Sequence, residues 1–543
     1  MFDGKHYEAN RHGSARWASV DELRKAGYLD GRDPLALQLG FAFDRKGRAH
    51  AISNASDASL VSFGGAGTGK YASVGLAAGL QYRSNIVSVD PKSEWRAQSE
   101  VADAHLGKDA YYIDARGGDM ADPLEILEPG PDLMGDCQML AAGLTPHGGG
   151  SDRFWNDVPK GWTAAFLYTD VMTNGRTSLP RIYRIVQAVN DPERFRPFLE
   201  AMAAMPNEEV VRCAHQIGSL QAEGGRLWES FCAELFRHWS FMADDRLRHA
   251  LEQPSFSWRK IITSRERNFS AYLCFAPDSF ERLAPFIRTT LEGAALIAMR
   301  DVGGPRLVLN VDEAGSLASG SWDGLTRLYT LGRGFGVRVW SWFQDTAQVR
   351  KALGDTALQT ILASSGVRQF LLPIRDYDSA AYLSNAIGSG SLRTENRLVA
   401  EQARHDLREK SLQLLRGENP LQTLRELEHL KKREVDVHWQ SRPLATAAEL
   451  MADPQEGPAR QILFMDGLPG PVAGVRIPYW KDKRLNGRWF PHPAFPPGDR
   501  VKLPGRFFSK WAKVKSAPVP KRLAHSHQYR SGQPFRFIEG FKP

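Results

Sequence analysis

The segment GGAGTGKYASVG, Gly64 to Gly75, has the spacing of a phosphate-binding loop: Gly64, four residues, then Gly69 and Lys70. Backbone N–H groups of such a turn, and of the helix that follows, converge on phosphate oxygens. Gly64, Gly65, Gly67 and Gly69 permit that path, and Ala66 and Thr68 complete the loop. Lys70 is then expected to reach the β- and γ-phosphates of ATP. The plain alternative is a structural turn. The next position normally carries Ser or Thr, whose hydroxyl ligates Mg²⁺. Here it is Tyr71, whose phenol lies too far from its Cα to take that place.

The flanks favour the phosphate loop. SLVSF (Ser59–Phe63) precedes it and reads as a strand; KYASVGLAAGL reads as a buried helix of small residues; NIVSVD (Asn85–Asp90) reads as a second strand. Strand, glycine loop, helix and strand make a βαβ unit with a parallel sheet. FSAYLCFA, RLVLNVDEAG, VRVWSWFQD and VRQFLLPI add further strands, and QILFMDGLPGPVAGVRIPYW a closing hairpin. Between them, residues 131–254 lose strand patterning and read as amphipathic helices.

In parallel sheets, ligands bind outside the carboxyl ends of the strands. Asp312 and Glu313 follow the apolar run Leu307–Val311, so both carboxylates should face that crevice. The first acid is expected to hold Mg²⁺ and the second to polarise the attacking water; an acidic strand-end turn is the alternative. With no hydroxyl at Tyr71, the ion would rest on Asp312, waters and the phosphates, since Mg²⁺ keeps several waters. Gln344 ends another strand and is placed to sense the γ-phosphate. Asp90 and Glu94, in DPKSEW, could line the same crevice.

At 543 residues, 42% apolar and 24% charged, the chain has material for a large core and several domains. Four scattered cysteines, Cys137, Cys213, Cys232 and Cys274, have no CxxC spacing and read as buried thiols in a reducing compartment. No signal-peptide pattern opens the chain, and no run approaches the ~18 apolar residues of a membrane span. The net charge is +8, and eleven Lys or Arg against one acid lie between Arg500 and Pro543, leaving residues 1–499 near neutral. That basic segment, interleaved with Phe507, Phe508, Trp511, Tyr529, Phe535 and Phe537, suits nucleic acid or an arm packed on its own body. The expected division is an N-terminal segment (1–58), a nucleotide-binding domain in two parts (59–130 and 255–499), an all-α domain (131–254) and a basic C-terminal tail (500–543), with a charged helical insertion near 391–434.

Taken in order, these segments resemble the type IV secretion coupling proteins, the conjugative DNA-transfer ATPases of the TraG/TraD kind, among the RecA-like hexameric motors that include FtsK and HerA. GGAGTGK is similar to their Walker A and NVDEAGSL (Asn310–Leu317) to their Walker B. GRGFGVRVWSWFQD is similar to the sensor strand, VSVDPKSEW to the strand after the loop, and GSDRFWNDVPKGWTAAFLY to the start of the all-α domain. HGSARWASVDEL and the segment Arg442–Trp480 match the two flanks. The resemblance implies a RecA-like P-loop NTPase that couples ATP hydrolysis to delivery of a relaxase–DNA substrate to a secretion channel. It implies a cytoplasmic homo-hexamer, with DNA, relaxase and channel proteins as partners. Family members usually carry N-terminal transmembrane helices; with no such run here, the expectation is either anchoring at the inner-membrane face through a partner or a soluble branch. The resemblance also implies an arginine donated in trans: Arg333 and Arg338 are candidates by position, Arg375 a weaker one. A non-hydrolysing recruitment module, for which Tyr71 speaks, and an assembly ATPase or HerA/FtsK-like translocase outside conjugation are the alternatives.

Overall fold

The computed structural model describes residues 13–145, 153–318, 322–395, 405–406, 408–409, 437–452, 458–506 and 508–542. The chain divides into two compact units. The larger comprises Ser19–Pro373, Pro454–Leu468 and Val472–Pro543.

An eleven-stranded sheet organises the larger unit. Its strands are β1 (Leu37–Phe43), β2 (Ala49–Asn54), β3 (Ser59–Phe63), β4 (Asn85–Asp90), β5 (Asp109–Ile113), β6 (Phe269–Cys274), β7 (Leu307–Val311), β8 (Val337–Phe343) and β9 (Ser365–Leu371). The smaller unit supplies β10 (Ser389–Glu395) and β11 (Val437–Pro443); β12 (Ala459–Met465) and β13 (Val472–Arg476) return to the large sheet. The order is β2-β1-β13-β12-β9-β3-β8-β7-β4-β6-β5. The seven strands from β9 to β5 are parallel. The other four extend the sheet antiparallel, through the β12–β13 hairpin. Strands β3, β4, β6, β7 and β8 are buried at every position, which explains their continuous apolar runs.

The β3–helix–β4 crossover is parallel, as the sequence predicts, but its two strands are not neighbours. β8 and β7 lie between them. Sequence-adjacent strands pair by default, and nothing local to Ser59–Asp90 says that two later strands will intervene.

Between β5 and β6 lie the helices Leu133–Leu144, Arg153–Asn174, Leu179–Ala188, Pro192–Ala203, Glu208–Glu223, Gly225–Trp239 and Asp245–Glu252. Trp162, Phe166 and Trp239 are fully buried among them. The first of these helices is fastened to Ala284–Arg300. Arg288 Nε donates to Gly143 O at 3.0 Å, and Arg300 pairs with Asp136 at 2.6 Å.

The basic C-terminal segment is not an extended tail. It forms a separate antiparallel sheet, β14 (Arg500–Leu503), β15 (Lys510–Ala517) and β16 (Phe535–Ile538). Val501, Leu503, Ala512 and Ile538 share one apolar cluster with Leu76, Leu80 and Trp95. Phe535 and Tyr529 pack with Ala104. Burying such side chains contributes roughly 1.5–3 kcal/mol each, enough to fold the lysine-rich strands onto the helices that follow β3 and β4. The lysines themselves stay on the surface, with Lys510, Lys513 and Lys515 exposed on β15.

In the smaller unit, β10 and β11 pair antiparallel from Ser389↔Pro443 to Glu395↔Val437, next to the helices Tyr377–Ile387 and Ala447–Met451. The start of the expected charged helix, Ser391–Glu395, is therefore a strand. Most of 396–434 lies outside the described residues. All four cysteines are buried.

Candidate functional site

Because the strands are parallel, their carboxyl ends share one edge. Four adjacent strands, β3, β8, β7 and β4, bring there the glycine loop, Gln344, Asp312–Glu313 and Asp90 respectively. Gly65, Lys70, Asp90, Asp312, Glu313 and Gln344 line one cavity of about 300 Å³. Ala66, Gly67, Gly69, Tyr71 and Glu94 also face it, whereas Gly64 and Thr68 do not. The Thr68 hydroxyl instead donates to Gly65 O at 2.8 Å, and Gly64 N–H to Phe343 O at 3.0 Å. Those two residues shape the loop rather than line it.

The loop path needs glycine where φ is +75° at Gly67 and +77° at Gly69. Arg476, at the end of β13, holds it from beneath. Its buried guanidinium donates to Thr68 O, to Ser73 Oγ (3.3 Å) and to Leu372 O (2.8 Å). Burial lowers its pKa to about 10, so it keeps its charge at neutral pH. The sequence carries one signal for this role, an arginine inside an otherwise apolar hairpin strand.

Two strained residues flank the cavity. Among the described residues, only Ser93 (φ 55°) and Glu313 (φ 51°) are non-glycines with positive φ. Such conformations cost about 1–3 kcal/mol and persist where surrounding structure over-determines them, commonly at functional sites. Glu313 follows β7 directly, and its N–H donates to Asp312 Oδ1 at 2.9 Å. Ser93 sits between Lys92 and Glu94, both on the cavity wall.

The carboxylates are poised for a cation. Burial, then the neighbouring Glu313 charge, raises the Asp312 pKa to about 6, against the opposing pull of Lys70. Burial raises Asp90 to about 7, although it accepts the N–H groups of Glu94 and Arg96 at 3.0 Å each and so caps the helix Glu94–Leu106. The Asp312 charge adds a further, smaller upward push on Asp90. Two buried acids in one cavity with Lys70 would fit a divalent cation held next to phosphate.

Tyr71 contributes no such ligand. Its hydroxyl donates to Gln98 Oε1 at 2.6 Å, and its ring meets Trp95 edge-on at 5.8 Å. Gln98 in turn donates to Tyr479 Oη at 2.5 Å and Phe490 O at 3.2 Å. The phenol is thus turned toward the chain beyond β13. Trp95 also explains the small residues of the loop helix: a Cβ at Gly75 or Gly79 would meet its ring at 2.9 or 2.8 Å. Nothing in the sequence pointed to Gln98.

The arginines separate. Arg338 is buried, and its guanidinium donates to Leu35 O at 2.9 Å and to Asn54 O and Ala58 O. It is a structural residue and is not available in trans, contrary to the expectation. Arg333 is exposed, paired with Asp57 at 3.0 Å at the amino-terminal edge of the sheet, opposite the cavity. Arg375 is exposed on the smaller unit.

The family described as "Type IV secretory system Conjugative DNA transfer" matches residues 16–503. Protein VirD4 of Rhizobium radiobacter is 21% identical over 464 residues, covering 79% of this chain and 64% of that protein. Protein VirD4 of Agrobacterium fabrum is 22% identical over 452 residues, covering 78% and 65%. The chain thus spans a little under two thirds of these relatives' length. Among solved structures, the bacterial conjugative coupling protein TrwBdeltaN70, in complex with sulphate, superposes with TM-score 0.57 at 15% identity, over 85% of this chain and 93% of that one. Plasmid coupling protein TrwB in complex with ADP and Mg²⁺ gives 0.56 at 15% identity, over 85% and 92%. At that identity the likeness is one of fold.

Proposed function

We propose, from the premise that this chain belongs to the type IV secretory system conjugative DNA transfer family, that it is an ATP-driven coupling protein moving a relaxase–DNA substrate to a secretion channel. The observation that carries this reading is the convergence of a phosphate loop, a pair of acids and an amide at four adjacent strand ends. Lys70 and the loop N–H groups would hold the β- and γ-phosphates. Asp312 would hold Mg²⁺, which when bound neutralises phosphate charge. Glu313, held at positive φ beside it, would take the proton of the attacking water, and Gln344 would orient that water against the γ-phosphate.

Arg333 is the candidate for a neighbouring subunit's crevice. It stands on a turn with Leu331 and Phe335, two exposed apolar side chains that a subunit contact would cover. DNA would be held through phosphate charge, independent of sequence. Among the described residues no helix is long and apolar enough to cross a membrane, and placement at the inner membrane is proposed to come through a partner.

The test is ATP turnover with and without DNA. Turnover should rise with DNA in the wild type and vanish in Lys70→Ala and Glu313→Gln; equal background in all three would sink the motor. A second reading, nucleotide binding without hydrolysis, is favoured by the Tyr71 hydroxyl being committed to Gln98. Under it the wild type is silent and Tyr71→Thr gains turnover.

A further inference from the structure

A second and larger cavity, of about 920 Å³, opens beside the phosphate cavity. The two share Tyr71, Ala72, Lys92 and Glu94. The smaller one, at about 300 Å³, is at the lower limit for a ligand site and suits a polyphosphate rather than a whole nucleotide. A nucleotide whose phosphates start at Lys70 must place its nucleoside elsewhere. Among the described residues, the lining the two cavities share begins at the next two residues, Tyr71 and Ala72.

The chemistry of the larger cavity suits a flat heteroaromatic ring carrying polar groups. Tyr479, Trp480, Trp489, Phe495 and Trp511 line it. Tyr479 and Trp489 are buried, with centroids 5.0 Å apart, and form its floor. Trp480, Phe495 and Trp511 are 41%, 67% and 54% exposed, so three large rings at the rim are accessible to a ligand. Glu94 faces both cavities and can accept from a sugar hydroxyl. Trp511 and Ser509 come from β14–β15 and its approach, beyond residue 503 where the family match ends. The matched segment alone would leave this cavity open on that side.

We propose that this aromatic cavity is the subsite for the base and ribose of the bound nucleotide, closed by the C-terminal sheet, with Trp480 and Trp511 as its stacking rings. The proposal rests on the phosphate-loop reading of Gly64–Lys70. It gives the lysine-rich C-terminal sheet a task in nucleotide binding, and it gives Tyr71 one: turned onto Gln98, it forms the step between phosphate and nucleoside rather than a metal ligand.

The test compares ATP with inorganic tripolyphosphate, each with Mg²⁺, by titration calorimetry on the full chain. Wild type should bind ATP at least tenfold more tightly than tripolyphosphate. Trp480→Ala and Trp511→Ala should each weaken ATP by about tenfold, the scale of one base–aromatic stack, and leave tripolyphosphate unchanged. Both side chains are substantially exposed, so their truncation leaves the core intact. ATP affinity unchanged in both variants, or ATP and tripolyphosphate weakened equally, overturns the subsite alone. Variants that lose an oligothymidylate but keep ATP also overturn it, reassigning the rings to nucleic acid. Tripolyphosphate binding that survives Lys70→Ala overturns the phosphate-loop reading, and this proposal with it.

Discussion

The two edges of the parallel sheet carry similar residues and do different things with them. At the carboxyl edge, Lys70, Asp90, Asp312, Glu313 and Gln344 face one cavity. Two of the acids there are held well above the usual carboxylate range. At the amino edge, Arg338 is spent on the protein itself, on the carbonyls of Leu35, Asn54 and Ala58, and Arg333 forms an exposed pair with Asp57. Charge alone therefore does not mark a site. What marks it is charge left partly uncompensated, next to strained backbone and open volume.

That contrast can be broken by substitution. Glu313→Gln should give the largest effect, a fall of about 10²–10⁴-fold in ATP turnover, the usual worth of a general base. ATP affinity, read by calorimetry, should stay within a few-fold. At the amino edge, Arg338→Met should act on stability instead. It leaves buried carbonyls without their donor, each costing about 1–3 kcal/mol. Chemical denaturation should report the loss, while the folded fraction binds ATP normally; lost binding with unchanged stability would erase the distinction between the edges.

Lys70→Ala removes a charged donor worth about 1.5–3 kcal/mol, so ATP affinity should fall roughly 10–100-fold. The pH response is smaller. The Asp312 carboxyl, with its pKa raised to about 6, is ionised above that pH and protonated below it, and a cation there competes with the proton. With Asp90 raised to about 7 in the same cavity, Mg²⁺-dependent ATP affinity should be level near pH 8, begin to fall near 7 and fall by up to about tenfold per unit below 6. A fall that begins only near pH 4 would mean that Asp312 is an ordinary exposed acid. Least affected should be ATP binding by Arg333→Ala, measured at a concentration where the chain is monomeric: no change there, with turnover lost on assembly, would place its effect in a neighbouring subunit.

Much of this was legible in the sequence because strand patterning is local. Ser59–Phe63 and Asn85–Asp90 were readable to the residue, and strand ends told where Asp312 and Gln344 would lie. Strand order was not, since the insertion of β8 and β7 between β3 and β4 is decided by pairings hundreds of residues apart. Arg338 misled because an arginine in a strand gives no sign of which carbonyls it will meet. The C-terminal segment was legible in part: its packing on its own body is borne out, and its sheet was not foreseen. Its lysines dominate composition, whereas its fold rests on a few alternating residues, Val501, Leu503, Ala512 and Ile538, that meet helices more than four hundred residues earlier. Tyr71 was recognised as a departure, but its partner Gln98 lay on a helix with no motif around it.

The most direct test of the account is amide hydrogen exchange with and without Mg²⁺ and ATP, on monomeric chain. Slowed exchange should concentrate on the loop Gly64–Ala72, on Asp90–Trp95, on Asp312–Glu313 and at Gln344. The amino edge, at Asp57 and Gly332–Arg338, should be unchanged. Protection at the amino edge, or none at the loop, would contradict the claim that these four strand ends form the nucleotide site.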